Sequence, residues 1–145
     1  MFDNSSTTSP LDRDIAAKTR QLCQQGYQLF DNGDIKTALR RFYSAWTLLP
    51  KPQTQWEEAG WVLTALGDAY FAKGDFKNGK EALLSALHCP KARGNPVIHL
   101  RLGQCLFELA EQDAARRQFE LVLQNGGETL FHKEDAKYRQ SLSPA

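Results

Sequence analysis

Hydrophobic side chains recur along most of the chain at the spacing of amphipathic helices. In the first segment Ile15, Leu22 and Leu29 are seven residues apart, so they share one face of a helix. Ser9 and Pro10 suit the N-cap and first turn of that helix. No stretch alternates polar and apolar residues as a strand would. The pattern predicts an all-α chain with helices at about residues 10–31, 35–49, 53–73, 76–88, 95–109, 112–124 and 128–142.

The predicted helices form a repeated pair. Gly67 follows Gly26 by 41 residues, and Gly103 follows Gly67 by 36. After each glycine come an apolar or aromatic pair, a turn and a second helix in which a small residue precedes a larger one. The second-helix residues are Ala38, Phe42 and Ala45; Gly79, Leu83 and Ala86; and Ala115, Phe119 and Val122. Small residues let two backbones approach, so we expect each pair of helices to cross at these positions and successive pairs to stack.

This repeat resembles the tetratricopeptide repeat (TPR). That repeat combines a small residue, an aromatic three residues later, a Gly-Asp turn and a second helix with an Ala-aromatic-Ala pattern. The middle unit GDAYFAKGDF, residues 67–76, carries the resemblance most fully, and the three units span about residues 19–125. The chain departs from the pattern at Gly79, at His99 and at Ala110, which stands where the turn glycine is usual. The resemblance implies an α-solenoid of three TPR helix pairs with an N-terminal helical extension and a C-terminal capping helix.

The expected organisation has three parts. Residues 1–9 are small and polar and predict a disordered tail. Residues 10–125 hold the three TPR-like repeats, at about 10–50, 51–91 and 92–125, and residues 126–145 hold the capping helix and a tail. The long first interval predicts an extended third helix that carries Trp56 and Trp61 before the motif. The last helix offers Phe131 and Tyr138 for docking, as a cap on the final repeat requires.

Two narrower groups share phrases with this chain. LLPKP, GDAYFAKGD, GNPVIHLRLGQCLFEL and EDAKY, in that order, resemble small bacterial TPR proteins that are encoded beside polymorphic toxins. That resemblance implies an immunity protein that binds and neutralises a cognate toxin domain. PVIHLRLGQC followed by FELVLQ is also similar to TPR chaperones of type III secretion, which would imply a secreted translocator or effector as the partner. The extra residues after Pro50 fit the first group better.

Composition narrows the kinds of partner. Lysine and arginine number 18 against 17 aspartates and glutamates, for a net charge of +1, so no overall charge draws the chain to nucleic acid or to an anionic membrane. No apolar run is long enough to cross a bilayer and the N-terminus lacks the features of a signal peptide, which favours a cytoplasmic protein. Cys23, Cys89 and Cys105 lie among apolar residues and are expected to pack as reduced thiols.

No catalytic or metal-binding pattern is present in the sequence. His88, His99 and His132 are scattered, and the carboxylate pair Glu134 and Asp135 points in two directions from a helix, which favours a solvated face. The chain has no Cys-x-x-Cys spacing and no phosphate-binding glycine loop. We therefore expect a protein that is not an enzyme and needs no cofactor or metal.

What remains is a surface for another protein. By the family pattern, the groove-facing positions fall one, four and five residues after each anchor glycine and three and six before it. The candidate partner-binding residues in this groove are Arg20, Tyr27, Phe30, Asp31, Trp61, Thr64, Asp68, Phe71, Gln104, Phe107 and Glu108. Large aromatics among hydrogen-bonding groups are typical of protein interfaces. The alternative for the phenylalanines is packing between neighbouring first helices, and Trp56 and Trp61 could instead bury against the first repeat.

Overall fold

The computed structural model describes residues 11–143, and every regular element within that range is helical. The predicted tail at 1–9, with the helix start at Ser9 and Pro10, lies outside these residues. The helices are α1 (Arg13–Asp31), α2 (Ile35–Leu48), α3 (Glu57–Lys73), α4 (Phe76–Ala86), α5 (Pro96–Glu108), α6 (Gln112–Gln124) and α7 (Ala136–Gln140). Short 3-10 helices cover Gln53–Gln55 and Glu128–Lys133. The prediction of an all-α chain is confirmed.

The helices stack as an α-solenoid of three pairs. α1 packs on α2, α3 on α4 and α5 on α6, while the first helices of successive pairs also contact one another, α1 with α3 and α3 with α5. The core runs through all three pairs and includes Phe42, Leu83, Leu102 and Phe119, each of which is fully buried. Within the described residues, no helix combines the length and apolar character needed to cross a membrane.

The anchor glycines lie where the two helices of each pair cross. A Cβ atom on Gly67 would stand 2.5 Å from Cγ of Leu83, and one on Gly103 would stand 2.5 Å from Cε1 of Phe119. The ring of Phe42 fills the same space beside Gly26. The crossings expected from the repeat pattern are therefore confirmed at all three pairs.

The turns inside the pairs are also equivalent. Asp34 and Asp75 cap the second helices, since their carboxylates accept hydrogen bonds from the backbone N–H groups of Thr37 and Asn78. Gly74 ends α3 in the left-handed conformation with a φ of 84°. Ala110 adopts a φ of 64° at the matching place in the third pair, so it follows the glycine conformation although it carries a Cβ.

The described helices differ from the predicted ones at three places. α1 begins at Arg13 because the carboxylate of Asp12 accepts from the N–H groups of Asp14 and Ile15 and so acts as the N-cap. The third helix does not run from residue 53, because Trp56 is extended and its indole N–H donates to the carbonyl of Pro50 at 2.8 Å. The final segment is not one helix: the backbone is extended at Glu134, and Asp135 then caps the five residues of α7.

Candidate partner-binding groove

An open recess lies between α1 and α3. It has a volume of about 560 Å³ and is lined by Arg20, Cys23, Gln24, Tyr27, Gln28, Asp31 and Trp61. We call this space the α1–α3 recess. Trp61 is 44% exposed there, among the most exposed large hydrophobic side chains of the described residues. Four of the candidate residues, Arg20, Tyr27, Asp31 and Trp61, are therefore brought together, while Trp56 is half-buried and docks on Pro50.

A polar chain ties the wall of the recess to the rest of the groove. The Tyr27 hydroxyl donates to Oδ2 of Asp68 at 2.7 Å, and Nε of Arg101 donates to Oδ1 of the same carboxylate at 2.9 Å. Burial, with the adjacent Asp68 charge, raises the pKa of the Tyr27 phenol far above its usual range. The phenol thus stays a proton donor, and α1, α3 and α5 are joined through one aspartate.

Residues 134–142, which we call the strap, cross the groove side of α5. Oε1 of Glu134 accepts from Nε2 of Gln104 at 2.7 Å and from Nη1 of Arg101 at 3.3 Å. Burial alone would lower the pKa of Arg101, but the charges of Asp68 and Glu134 outweigh it and raise that pKa. The expectation that Glu134 faces solvent was wrong, because Arg101 and the fully buried Gln104 draw its carboxylate inward.

The strap also fills an aromatic slot. Tyr138 is only 5% exposed, and its ring centroid lies 5.3 Å from that of Phe107 and 6.4 Å from that of Phe71. The Tyr138 hydroxyl donates to Oε2 of Glu108 at 2.7 Å. Four candidate residues, Phe71, Gln104, Phe107 and Glu108, therefore meet the chain's own C-terminal segment.

The two other candidates have local partners. Phe30 is half-buried, packs against the core and meets Tyr27 edge to face with ring centroids 6.0 Å apart. Thr64 is half-buried, and its hydroxyl donates to the carbonyl of Gly60 at 2.6 Å. Phe30 is therefore packed partly against the core, and its contact with Tyr27 lies within α1.

Sequence reasoning missed Arg101, Glu134 and Tyr138 as groove residues. Arg101 carried a usable signal, since it is the one arginine or lysine in α5 and most of that helix is buried. A cation placed among buried neighbours requires carboxylate partners. Tyr138 carried no comparable signal, because a docking aromatic is expected in any capping helix.

His99 and the three cysteines take part in the packing of the helices. The N–H of Gly94 donates to Nε2 of His99 at 3.1 Å, so Nδ1 carries the proton and donates to Oε1 of Gln118 at 2.8 Å. Cys89 and Cys105 are buried free thiols, as expected, and Cys23 is half-buried at the recess. Burial raises the pKa of Cys23 to about 11. Among residues 11–143, no three His, Cys, Asp or Glu side chains are grouped to hold a metal ion.

Comparisons with known proteins identify the fold. No protein-family model and no curated protein sequence matches the chain. The first TPR domain of human RPAP3 superposes with a TM-score of 0.71 at 20% identity, covering 88% of this chain and 94% of that one. The first TPR of Spaghetti (RPAP3), solved with an HSP90 peptide, gives 0.69 at 18% identity over 88% and 91% of the two chains.

The third similar structure is that of a type III secretion chaperone. The Yersinia enterocolitica type III secretion chaperone SycD, solved with a peptide of the translocator YopD, gives a TM-score of 0.70 at 14% identity. It covers 90% of this chain and 94% of the SycD chain. These superpositions span nearly the whole of each chain, so the protein has the fold of a three-repeat TPR domain.

Proposed function

We propose that the protein is a non-enzymatic binding module that holds a segment of another protein in the α1–α3 recess. The observation that carries this proposal is the exposed indole of Trp61 beside the hydrogen-bonding groups of Arg20, Gln24 and Asp31. A large aromatic that loses its contact with water on binding supplies most of the affinity of such an interface, and the polar groups around it fix the orientation of the partner.

The apolar surface continues beyond the recess. Trp61 and Val97 both stand six residues before their anchor glycines, and both are 44% exposed. Because first helices of successive pairs are neighbours, these side chains form one edge that a partner segment can follow from α3 to α5. Arg20 holds the same register position on α1 and gives this edge a charged end.

The more specific proposal is an immunity protein that neutralises a cognate bacterial toxin domain. It is supported by the phrases LLPKP, GDAYFAKGD and GNPVIHLRLGQCLFEL, which resemble TPR proteins encoded beside polymorphic toxins. The protein would act by binding alone, either covering the active site of the toxin or fixing the toxin in an inactive shape. Expressing the protein with the toxin of a neighbouring gene should then restore growth of the poisoned cells.

A second candidate is a chaperone that grips an extended segment of a secreted translocator or effector. The observation that favours it is the superposition with SycD, whose structure contains a translocator peptide. Gene context separates the two candidates, since a toxin gene beside this one supports immunity and genes of a secretion apparatus support the chaperone. Absence of growth protection by the protein against any neighbouring toxin would contradict the immunity role.

The binding surface is tested with Trp61→Ala. We expect the variant to weaken affinity for the partner by about thirtyfold, or about 2 kcal/mol, as loss of a central aromatic does. Tyr43→Ala is the matched control, because Tyr43 is also 44% exposed but lies on α2, outside the recess. Isothermal titration measures both affinities. Equal affinities for wild type and Trp61→Ala, with circular dichroism unchanged, would mean that the partner uses another surface.

A further inference from the structure

We propose that the strap is an internal ligand, and that a partner segment carrying an acidic residue followed four positions later by an aromatic residue takes its place. The inference deepens the proposed function and rests on it, because it adds a second half to the site in which the partner is held. The proposal is based on the positions of Glu134 and Tyr138, which occupy two adjacent and chemically different places on the groove side of α3 and α5.

The repeats alone build the surface that the strap covers. The guanidinium of Arg101 is held by Asp68 at 2.9 Å and lies over the ring of Phe71, 4.8 Å from its centroid. Neither contact involves the strap, so the cation stays in position when Glu134 leaves. Phe71 on α3, Phe107 on α5 and Phe119 on α6 line the slot for Tyr138, with ring centroids 6.4, 5.3 and 6.0 Å from that of Tyr138. The result is a cation beside an aromatic slot, which fits a carboxylate and a ring.

Few contacts hold the strap to the residues that precede it. Phe131 packs on Phe119 with ring centroids 5.6 Å apart, and of residues 134–142 only Tyr138 is buried. The backbone is then extended at Glu134, and α7 has only five residues, too few to be stable without its contacts. Arg139 ties the strap to Glu128 at 2.9 Å, but both side chains are exposed, and such pairs stabilise little. The strap can therefore open as a local unit.

The covered surface is continuous with the recess. Asp68 accepts from Tyr27, which lines the recess, and from Arg101, which binds the strap. A partner segment that lies along the groove from Trp61 toward α5 meets the strap within one side chain of this aspartate. Because the partner must displace the strap, its apparent affinity is reduced by the fraction of chains in the closed state.

The test uses the full chain and a fluorescent peptide of residues 134–143, with fluorescence anisotropy as the readout. Wild type should bind the peptide weakly, since its own strap fills the slot. The full-length Tyr138→Ala variant should bind it at least about tenfold more tightly, because a truncated aromatic no longer competes. A peptide in which alanine replaces every residue except Glu134, Asp135 and Tyr138 should bind the same variant within about tenfold of the native peptide. Moving the tyrosine by one position should abolish binding.

Two controls fix the site of binding. The double variant Tyr138→Ala, Phe107→Ala removes a wall of the slot and should no longer bind the peptide more tightly than wild type. Tight peptide binding by the double variant would overturn the proposal. Tyr43→Ala in the Tyr138→Ala background should leave peptide binding unchanged, because Tyr43 lies on α2, away from the slot. No partner protein enters this assay, so a negative peptide result does not contradict the proposed function. Conversely, an unchanged partner affinity in Trp61→Ala does not contradict a positive peptide result.

The remaining outcomes also decide the question. A folded Tyr138→Ala chain with no gain in peptide affinity overturns the proposal. If Tyr138→Ala does not fold, Glu134→Gln replaces it, and a gain of several-fold supports the proposal whereas no gain overturns it. Loss of the helical circular dichroism signal in both variants would show that the strap is part of the core, which overturns it too. Sedimentation could also show that the wild type is a dimer and that Tyr138→Ala abolishes the dimer. That result would assign the slot to the strap of a second copy and would overturn the proposal that another protein binds there.

Discussion

Gly67 and Leu83 show how single residues set the register of the stack. The helix backbones of α3 and α4 come so close at Gly67 that the side chain of Leu83 occupies the volume a Cβ would need. Phe119 does the same at Gly103. These contacts fix which residues of α3 and α5 turn toward the core, and so also which residues, Trp61 among them, turn toward the groove.

Gly67→Ala should therefore lower the free energy of unfolding by about 1–3 kcal/mol, because the added methyl overpacks the crossing. Gly60→Ala is the matched control on the same helix, where a Cβ would meet Cβ of Cys89 at 3.3 Å. There the gain in helix propensity of about 1 kcal/mol offsets a tight contact, and the net change should stay within about 1 kcal/mol. Urea denaturation measures both. Equal effects of the two substitutions would contradict the crossing geometry.

At the scale of elements, the strap is held to α5 by charged side chains. Glu108 on α5 accepts from the hydroxyl of Tyr138 at 2.7 Å and lies 2.9 Å from Nζ of Lys137. Burial opposes the ionised form of Glu108, but the hydrogen bonds from Lys137 and Tyr138 outweigh burial and the nearby charge of Asp135, and lower its pKa below 4.5. Closing the strap thus favours the carboxylate form of Glu108.

Acid should accordingly open the strap. The stabilisation from Glu108 is fully present above its ordinary pKa of 4.5 and is lost as the pH falls through the lower value of the folded state. NMR shifts of the Tyr138 ring should be constant above about pH 5.5 and move toward those of an exposed tyrosine below pH 4.5. Glu108→Gln isolates this effect, because the Tyr138 ring shifts of that variant should lack the change that follows Glu108. Identical acid profiles in both proteins would exclude Glu108 as the controlling group.

The molecule as a whole is a solenoid whose groove is divided between a free recess and an occupied slot. Local pattern predicted the helix pairs and their crossings, since periodicity and the spacing of Gly26, Gly67 and Gly103 report neighbours within a pair. It did not predict the strap, because the place where a terminal segment docks depends on contacts about thirty residues apart, such as Glu134 with Gln104 and Tyr138 with Glu108. The 3-10 helix before the strap has no signature that separates it from an α-helix.

The proposed function requires that the partner is held in the free recess. Cys23 reports on it directly, because this half-buried thiol lines the recess while Cys89 and Cys105 are buried in the core. The measurement is the rate at which each cysteine reacts with N-ethylmaleimide, followed by mass spectrometry with and without a saturating amount of the cognate partner. Binding should slow the reaction of Cys23 by at least about tenfold, since a covered recess excludes the reagent, and should leave the other two rates unchanged. A partner that binds while Cys23 reacts at its original rate would contradict the account.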